Sequence, residues 1–191
     1  MRDILKIGII LMIYALIAGT PLAFVNIKTK PIIEENRLKA ENKARTGVLP
    51  GMSGGYEPIG SEGDFPYWIG YSDSGKKVPL GYVFIVKEDG YSSTMETMVG
   101  VDLEGKINGT KILFQQETPG LGSRIEEILH GETEPWFTGQ FNGKSASDNV
   151  RITKDGGDIN AITGATISSR AVTNSINRGL VKLMQKVGEG S

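Results

Sequence analysis

The sequence predicts an α+β protein in which an N-terminal transmembrane helix precedes one domain with an antiparallel sheet and packed helices. Three observations support this prediction: an uncharged apolar run at the start, short β-type runs joined by turns in the middle, and an amphipathic helical pattern at the end. With 191 residues, the chain has room for one hydrophobic core beside a membrane segment.

The N-terminal run covers residues 7–25 without a charged side chain. At a rise of about 1.5 Å per residue, a helix of this length just crosses a hydrocarbon core of about 30 Å. A cleaved signal peptide is the alternative, but the run is longer than a usual signal h-region and no A-x-A site follows it. We therefore predict a transmembrane anchor over residues 1–27, with a bend at Pro21.

Basic residues flank this run on both sides, with Arg2 and Lys6 before it and six lysines or arginines between residues 28 and 45. The positive-inside count would place the large domain in the cytoplasm, but long domains cross membranes largely regardless of their charge. The residues alone therefore leave the orientation open.

Residues 28–47 are predicted to form a juxtamembrane stalk. Its polar stretch of helix formers predicts a short helix over 31–45 with Pro31 in the first turn and Gly47 at the end. Residues 47–63 are rich in glycine and proline, which predicts a loop-rich start to the domain that we assign to residues 48–191.

Three runs then predict strands of an antiparallel meander. Residues 82–86 are apolar on both faces, as in a covered strand. Val99, Val101 and Leu103 alternate with Gly100 and Asp102 in a half-buried pattern. A short turn at 104–106 leads into a third run that ends at 112–114.

Helical patterns follow the strands. Residues 123–130 predict a short helix with one apolar side, formed by Ile125, Ile128 and Leu129. An aromatic group, Trp136, Phe137 and Phe141, is typical of core packing. A long helix is predicted from near Thr166, because apolar residues recur at steps of three and four: Val172, Ile176, Leu180, Leu183 and Val187.

Composition excludes several classes of function. The formal net charge of -1 offers no overall positive field for nucleic acid. Cysteine is absent and His130 is the one histidine, so the sequence predicts neither a metal site nor a catalytic nucleophile pair. His130 is interpreted as a surface or helix-end residue without a chemical role.

The segment before the last helix reads NAITGATISS over residues 160–169. Thr163 is a plausible N-cap, Gly164 allows a close backbone approach, and Thr166 lies in the first helical turn, where free N–H groups favour an anion such as phosphate. A hydroxyl-rich helix start without a ligand is the alternative. A second segment, ETPGLG over residues 117–122, predicts a rigid turn with exposed backbone, in which Glu117 could equally be solvated and Leu121 could belong to the core.

These segments resemble the G subunits of Rnf complexes, which are similar to the C subunits of sodium-pumping NADH:quinone oxidoreductases. The resemblance rests on the N-terminal anchor and on four blocks in order: GYVF at 81–84, METMVGVDLEGKI at 95–107, ETPGLGSRI at 117–125 and ITGATISSRAVT at 162–173. The family motif usually carries Asp where this chain has Asn160, with Asp155 and Asp158 nearby.

The resemblance implies an FMN-binding domain. In this family a dedicated flavin transferase esterifies the last threonine of the motif, here Thr166, with the phosphate of FMN. The ETPGLG block is then expected beside the flavin ring. The flavin contacts implied on this basis are Thr163, Gly164, Ala165, Glu117, Thr118, Leu121 and Gly122.

The implied function is electron transfer within an ion-translocating ferredoxin:NAD oxidoreductase complex that moves Na⁺ or H⁺. Its partners would be the other membrane and redox subunits, and the flavin domain would lie on the extracytoplasmic side of the cytoplasmic membrane. Two alternatives stay open: a single-span scaffold protein without a redox cofactor, and a domain that binds FMN noncovalently.

Overall fold

The computed structural model describes residues 2–60 and 65–189. The chain divides into two compact units, Met1–Glu41 and Asn42–Ser191, and each is described by itself. The second unit has the predicted α+β architecture, with a five-stranded antiparallel sheet and packed helices. Part of the predicted loop-rich segment, residues 61–64, lies outside the described residues.

Helix α1 runs from Arg2 to Val48 and continues through Pro21 and Pro31. The prediction that a separate stalk helix starts at Pro31 is therefore wrong. A proline removes one backbone donor, but the hydrogen bonds of the neighbouring residues hold the helix together across it. Every residue from 7 to 25 is exposed, and within the described residues α1 is the one helix long and apolar enough to cross a membrane.

The sheet has its strands in sequence order, and each strand pairs antiparallel with the next. The strands are β1 (Tyr56–Gly60), β2 (Tyr67–Tyr71), β3 (Pro79–Asp89), β4 (Thr94–Asp102) and β5 (Ile107–Phe114). The predicted meander corresponds to β3, β4 and β5 and is confirmed. The prediction of a loop over residues 56–60 is wrong, because β1 is an edge strand, where proline and glycine interrupt fewer ladder bonds.

The two faces of the sheet are both covered at its centre. Val83, Phe84, Ile85 and Val86 of β3 are all buried, as predicted for a covered strand. The half-buried alternation predicted for β4 is wrong, because Gly100 is buried between Val99 and Val101. Leu103 lies beyond the end of β4 and is 50% exposed.

The front face of the sheet packs against helix α3 (Thr166–Glu189). The predicted apolar stripe of this helix is confirmed, since four of its members are fully buried and Val187 packs against them. Beside α3, Phe137 and Phe141 are fully buried in edge-to-face contact, and Trp136 packs at their side, which confirms the aromatic core. Trp136 begins the short helix α2 (Trp136–Gly139).

The rear face is covered by the last turn of α1 and the residue after it. Cross-strand glycine pairs, Gly70 with Gly81 and Gly100 with Gly109, remove side chains from this face. Val48 and Leu49 fill the space, and a Cβ placed on Gly100 would lie 2.2 Å from the Val48 carbonyl oxygen. We call this feature the rear glycine groove.

A buried cation lies on the same side of the domain. The Arg45 guanidinium stacks on the rings of Tyr56 and Trp68, 4.4 and 4.2 Å from their centroids. Its Nη1 donates to Asn42 Oδ1 at 2.8 Å within α1. The same Oδ1 accepts the Tyr56 hydroxyl, and this hydrogen bond and the ring stacking tie the end of α1 to the first two strands.

The helix predicted over residues 123–130 is wrong in extent. A 3₁₀ helix spans only Gly122–Glu126, and the backbone of Glu127 is already extended. The Glu127 carbonyl accepts the N–H of Trp136, which draws the chain toward α2 instead of another helical turn. Ile125 is therefore buried, whereas Ile128 and Leu129 are exposed.

Candidate functional site

A cavity of about 490 Å³ opens where the ETPGLG segment meets the start of α3. Seven of the eight residues predicted to contact a cofactor line it, so segments far apart in the sequence form one site. The lining also contains four residues that were not predicted: Tyr91, Lys154, Ile167 and Ser168.

Thr166 is the first residue of α3 and is half-buried at the cavity wall. Its Oγ1 accepts a hydrogen bond from Lys154 Nζ at 3.0 Å. The hydroxyl is therefore placed beside a cation and at a helix end where backbone N–H groups lack intrahelical acceptors. An oxygen atom in this position is well suited to carry a negatively charged substituent.

Thr163 is the one predicted contact that does not line the cavity, and the prediction that it caps α3 is wrong. Ala165 precedes the helix, and its carbonyl accepts the N–H of Ser169 at 3.0 Å, which is the N-cap position. Gly164 adopts a φ of 82°, and this left-handed residue turns the chain so that exposed Thr163 is left outside the helix. The buried Ser169 hydroxyl holds the turn by accepting the N–H of Ile162 at 2.9 Å.

Glu117 lies in the cavity wall and is only 5% exposed, so the alternative of a solvated carboxylate is wrong. It accepts backbone N–H groups from the β3–β4 turn, namely those of Tyr91, Ser92 and Ser93 at 2.9–3.2 Å. It also accepts the Ser168 hydroxyl of α3 at 2.6 Å. The carboxylate thus joins three separate chain segments around the cavity.

Burial by itself would raise the pKa of Glu117, because it penalises the charged form. The hydrogen bonds from Ser168 and from the backbone of the β3–β4 turn outweigh burial and hold the pKa below its ordinary value. Glu117 is therefore a stable anion at neutral pH that fixes the position of its neighbours.

Glycine allows these segments to come close to the carboxylate. A Cβ on Gly122 would lie 2.6 Å from both Glu117 Oε2 and Ser168 Oγ, and a Cβ on Gly90 would lie 2.6 Å from Glu117 Oε1. Leu121 is 44% exposed and lies over Gly164 at the rim of the cavity. The alternative that Leu121 belongs to the core is therefore wrong.

Lys154 belongs to a 3₁₀ turn, Thr153–Asp155, that lies against the first turns of α3. Asp155 forms a two-pronged ion pair with Arg170, at 2.7 and 2.8 Å. No sequence pattern indicated that Lys154 reaches Thr166, because the two residues lie twelve positions apart and no helix or strand connects them. His130 is exposed and does not line the cavity.

Comparison with known proteins identifies the family. Residues 90–181 match the model of the FMN-binding domain, and residues 1–46 match that of the RnfG N-terminal region. The G subunit of the ion-translocating oxidoreductase complex of Shewanella amazonensis is 30% identical over 94% of this chain and 88% of that protein. The G subunit of the Na⁺-translocating ferredoxin:NAD⁺ oxidoreductase complex of Acetobacterium woodii is 32% identical over 94% and 91%, respectively.

The chain belongs to the family of G subunits of ion-translocating oxidoreductase complexes. Together with the apolar helix α1, family membership makes the chain a single-pass membrane protein. Among solved structures, the C subunit of the Na⁺-translocating NADH-quinone reductase from Parabacteroides distasonis aligns with 61% of this chain and 59% of its own. That alignment has a TM-score of 0.47 at 26% sequence identity.

Proposed function

We propose that this G-family protein carries electrons through an FMN that is joined by a phosphoester to Thr166 Oγ1. The observation that carries the proposal is the position of this hydroxyl, at the wall of a 490 Å³ cavity and 3.0 Å from Lys154 Nζ. The cavity lies within the residues that match the FMN-binding domain, 90–181.

The cavity residues fit a flavin nucleotide. The volume is in the usual range for small-molecule sites, roughly 300–1,000 Å³, and the lining combines a cation and hydroxyls with apolar Leu121 and Ile167. Thr166 would carry the phosphate. Thr118, Leu121 and Gly122 would contact the ring, as the family resemblance implies, with Gly164 and Ala165 shaping the turn between them.

Attachment requires one substitution at phosphorus. The Thr166 Oγ1–P bond forms while the phosphoanhydride bond of an activated flavin nucleotide breaks, and the displaced nucleoside phosphate leaves. The hydroxyl proton passes to a base. A dedicated flavin transferase would bring both the activated nucleotide and this base.

Once bound, FMN supplies one- and two-electron redox chemistry, so the chain needs no acid–base pair of its own. The contribution of the protein is to attach, orient and partly cover the cofactor. A covalent tether also allows a cavity that opens toward partner proteins without loss of FMN. The buried Glu117 would keep the walls of that cavity in place during electron transfer.

The partners would be the other membrane and redox subunits of an Rnf complex. Residues 1–27 would serve as anchor, residues 28–47 as stalk and residues 48–191 as flavin domain. We place this domain on the extracytoplasmic side of the cytoplasmic membrane, following the family resemblance over the count of flanking positive charges. Electrons would pass between the neighbouring subunits of a complex that couples ferredoxin and NAD⁺ chemistry to ion movement.

Mass spectrometry of the full chain produced with its flavin transferase tests the attachment. We expect one FMN ester on the wild type and none on Thr166→Val. Thr163→Val is the matched control, because Thr163 is a threonine of the same motif that lies outside the cavity, and it should keep the ester.

An unmodified wild type, or a Thr166→Val variant that keeps the ester, would contradict the proposal. Yellow protein that loses its flavin on denaturation and filtration would indicate noncovalent FMN. Colourless protein without in-gel fluorescence would favour the scaffold function.

A further inference from the structure

We propose that Lys154 is the charge partner of the phosphoester on Thr166, a positioning role that rests on the proposed function. It goes beyond attachment itself, because it assigns a residue outside the TGAT motif to the phosphoryl group. The proposal starts from the 3.0 Å contact between Lys154 Nζ and Thr166 Oγ1.

Two adjacent residues hold the turn 153–155 against α3. Lys154 donates a hydrogen bond to Thr166, and Asp155 accepts two hydrogen bonds from Arg170. Thr166 and Arg170 are four residues apart and so lie on the same face of the helix, one turn from each other. The ion pair between Asp155 and Arg170 therefore keeps the Lys154 ammonium next to the Thr166 hydroxyl.

The charges around Lys154 leave its ammonium available for an anion. The neighbouring Asp155 is engaged by Arg170, and Asp158 by Lys144 at 3.4 Å. Over residues 2–60 and 65–189, the structure places no carboxylate within 4.0 Å of Lys154 Nζ, and its one hydrogen bond goes to Thr166. A neutral hydroxyl is a weaker partner for an ammonium group than a phosphate oxygen.

Esterification would change the partner at this position. In the free chain the ammonium donates to Oγ1. In the ester, the negative charge resides on phosphoryl oxygens bonded to the phosphorus that Oγ1 carries, within reach of a flexible lysine stem. Lys154 then offsets that charge both while the ester forms and after it has formed.

The test compares Lys154→Met, Lys154→Arg and Lys111→Met in the full chain. Lys111 is an exposed lysine of β5 outside the cavity and controls for the loss of one positive charge. With limiting transferase and low salt, we expect Lys154→Met to form the ester about twofold to fivefold more slowly than the wild type. Lys154→Arg and Lys111→Met should stay close to wild type, and about 1 M salt should remove most of the difference.

A second measurement separates this role from a general structural one. Thermal unfolding is recorded for each variant before and after modification, and the shift that modification causes is compared. We expect equal midpoints for the unmodified proteins and a smaller upward shift for Lys154→Met. A lower midpoint of unmodified Lys154→Met would overturn the proposal, since it would indicate a structural contact.

The remaining outcomes are also decisive. Wild-type protein that takes no ester refutes the proposed function and this inference with it. Wild-type protein that is esterified while Lys154→Met matches it in rate refutes the inference alone. A slower Lys154→Met with an unchanged stability shift also overturns it, in favour of transferase docking.

Discussion

The two faces of the sheet use glycine in opposite ways. In the rear glycine groove, the space left by missing side chains is filled by Val48 and Leu49 of the chain itself. On the front, glycines of the ETPGLG and TGAT segments border a cavity that the described residues leave open. Close backbone approach therefore stabilises the domain where the chain fills the space that glycine leaves, and it creates a binding site where the chain does not fill that space.

The two buried charged side chains, Arg45 at the rear and Glu117 at the front, also have different surroundings. Arg45 at the rear is covered by two aromatic rings, whereas Glu117 at the front is surrounded by hydrogen-bond donors. Three N–H groups and a hydroxyl fix the positions of the segments that donate them to Glu117. The Glu117 carboxylate therefore holds the segments of the cavity wall together.

Gly100→Ala should produce the largest loss of stability, because its Cβ would collide with the Val48 backbone at 2.2 Å. Backbone atoms cannot rotate away, so we expect a free energy of unfolding lowered by about 3 kcal/mol. Chemical denaturation of the full chain in detergent measures it. Gly139→Ala is the matched control, since nothing lies within 4 Å of its Cβ. Equal stabilities of the two variants would show that the rear groove is not tightly filled.

Glu117→Gln should have the next largest effect. At pH 7 the neutral amide places a buried NH₂ group opposite the N–H and O–H groups that donate to the carboxylate in the wild type. This mismatch should lower the free energy of unfolding by about 2 kcal/mol. Because the folded pKa of Glu117 lies below its ordinary value, its charged form stabilises the fold above about pH 4.3, the value of a free Glu side chain. The stability that it contributes is lost as the pH falls through the folded pKa.

The difference between wild type and Glu117→Gln should therefore shrink on acidification below about pH 4.3, as followed by urea unfolding at several pH values. Glu104→Gln controls for the general effect of removing a carboxylate, because Glu104 is exposed and pairs only with Lys106 among the described contacts. A difference for Glu117→Gln that does not change with pH would contradict the role assigned to its charge.

Local patterns predicted the elements whose own residues determine them. The apolar run of β3 and the stripe of α3 follow from side chains within one segment. The rear glycine groove could not be predicted from one segment, because glycines in four strands pack against Val48 and Leu49 at the end of a helix that is distant in the sequence. The half-buried pattern assigned to β4 failed for this reason.

The candidate site likewise contains residues that the sequence predicted and residues that only tertiary structure brings there. The family resemblance pointed to Thr166 and to the ETPGLG block, and the structure brings them to one cavity. Lys154 was missed because only the tertiary pairing of Asp155 with Arg170 places it there. Thr163 was assigned as the cap because threonine favours N-caps, but the left-handed turn at Gly164 shifts the cap to Ala165.

Gly164→Ala should have the smallest effect on stability and the more specific effect on the site. A left-handed φ of 82° costs a non-glycine residue about 1 kcal/mol, and Gly143→Ala, at a φ of 79°, controls for this strain. Only at Gly164 would the added Cβ also meet Leu121, at 3.1 Å, whereas nothing lies near Gly143. The two variants should therefore lose similar stability, while Gly164→Ala alone should slow esterification of Thr166 in a time course followed by in-gel fluorescence. Equal esterification rates would show that the cavity accommodates an added Cβ, whereas the rear glycine groove does not.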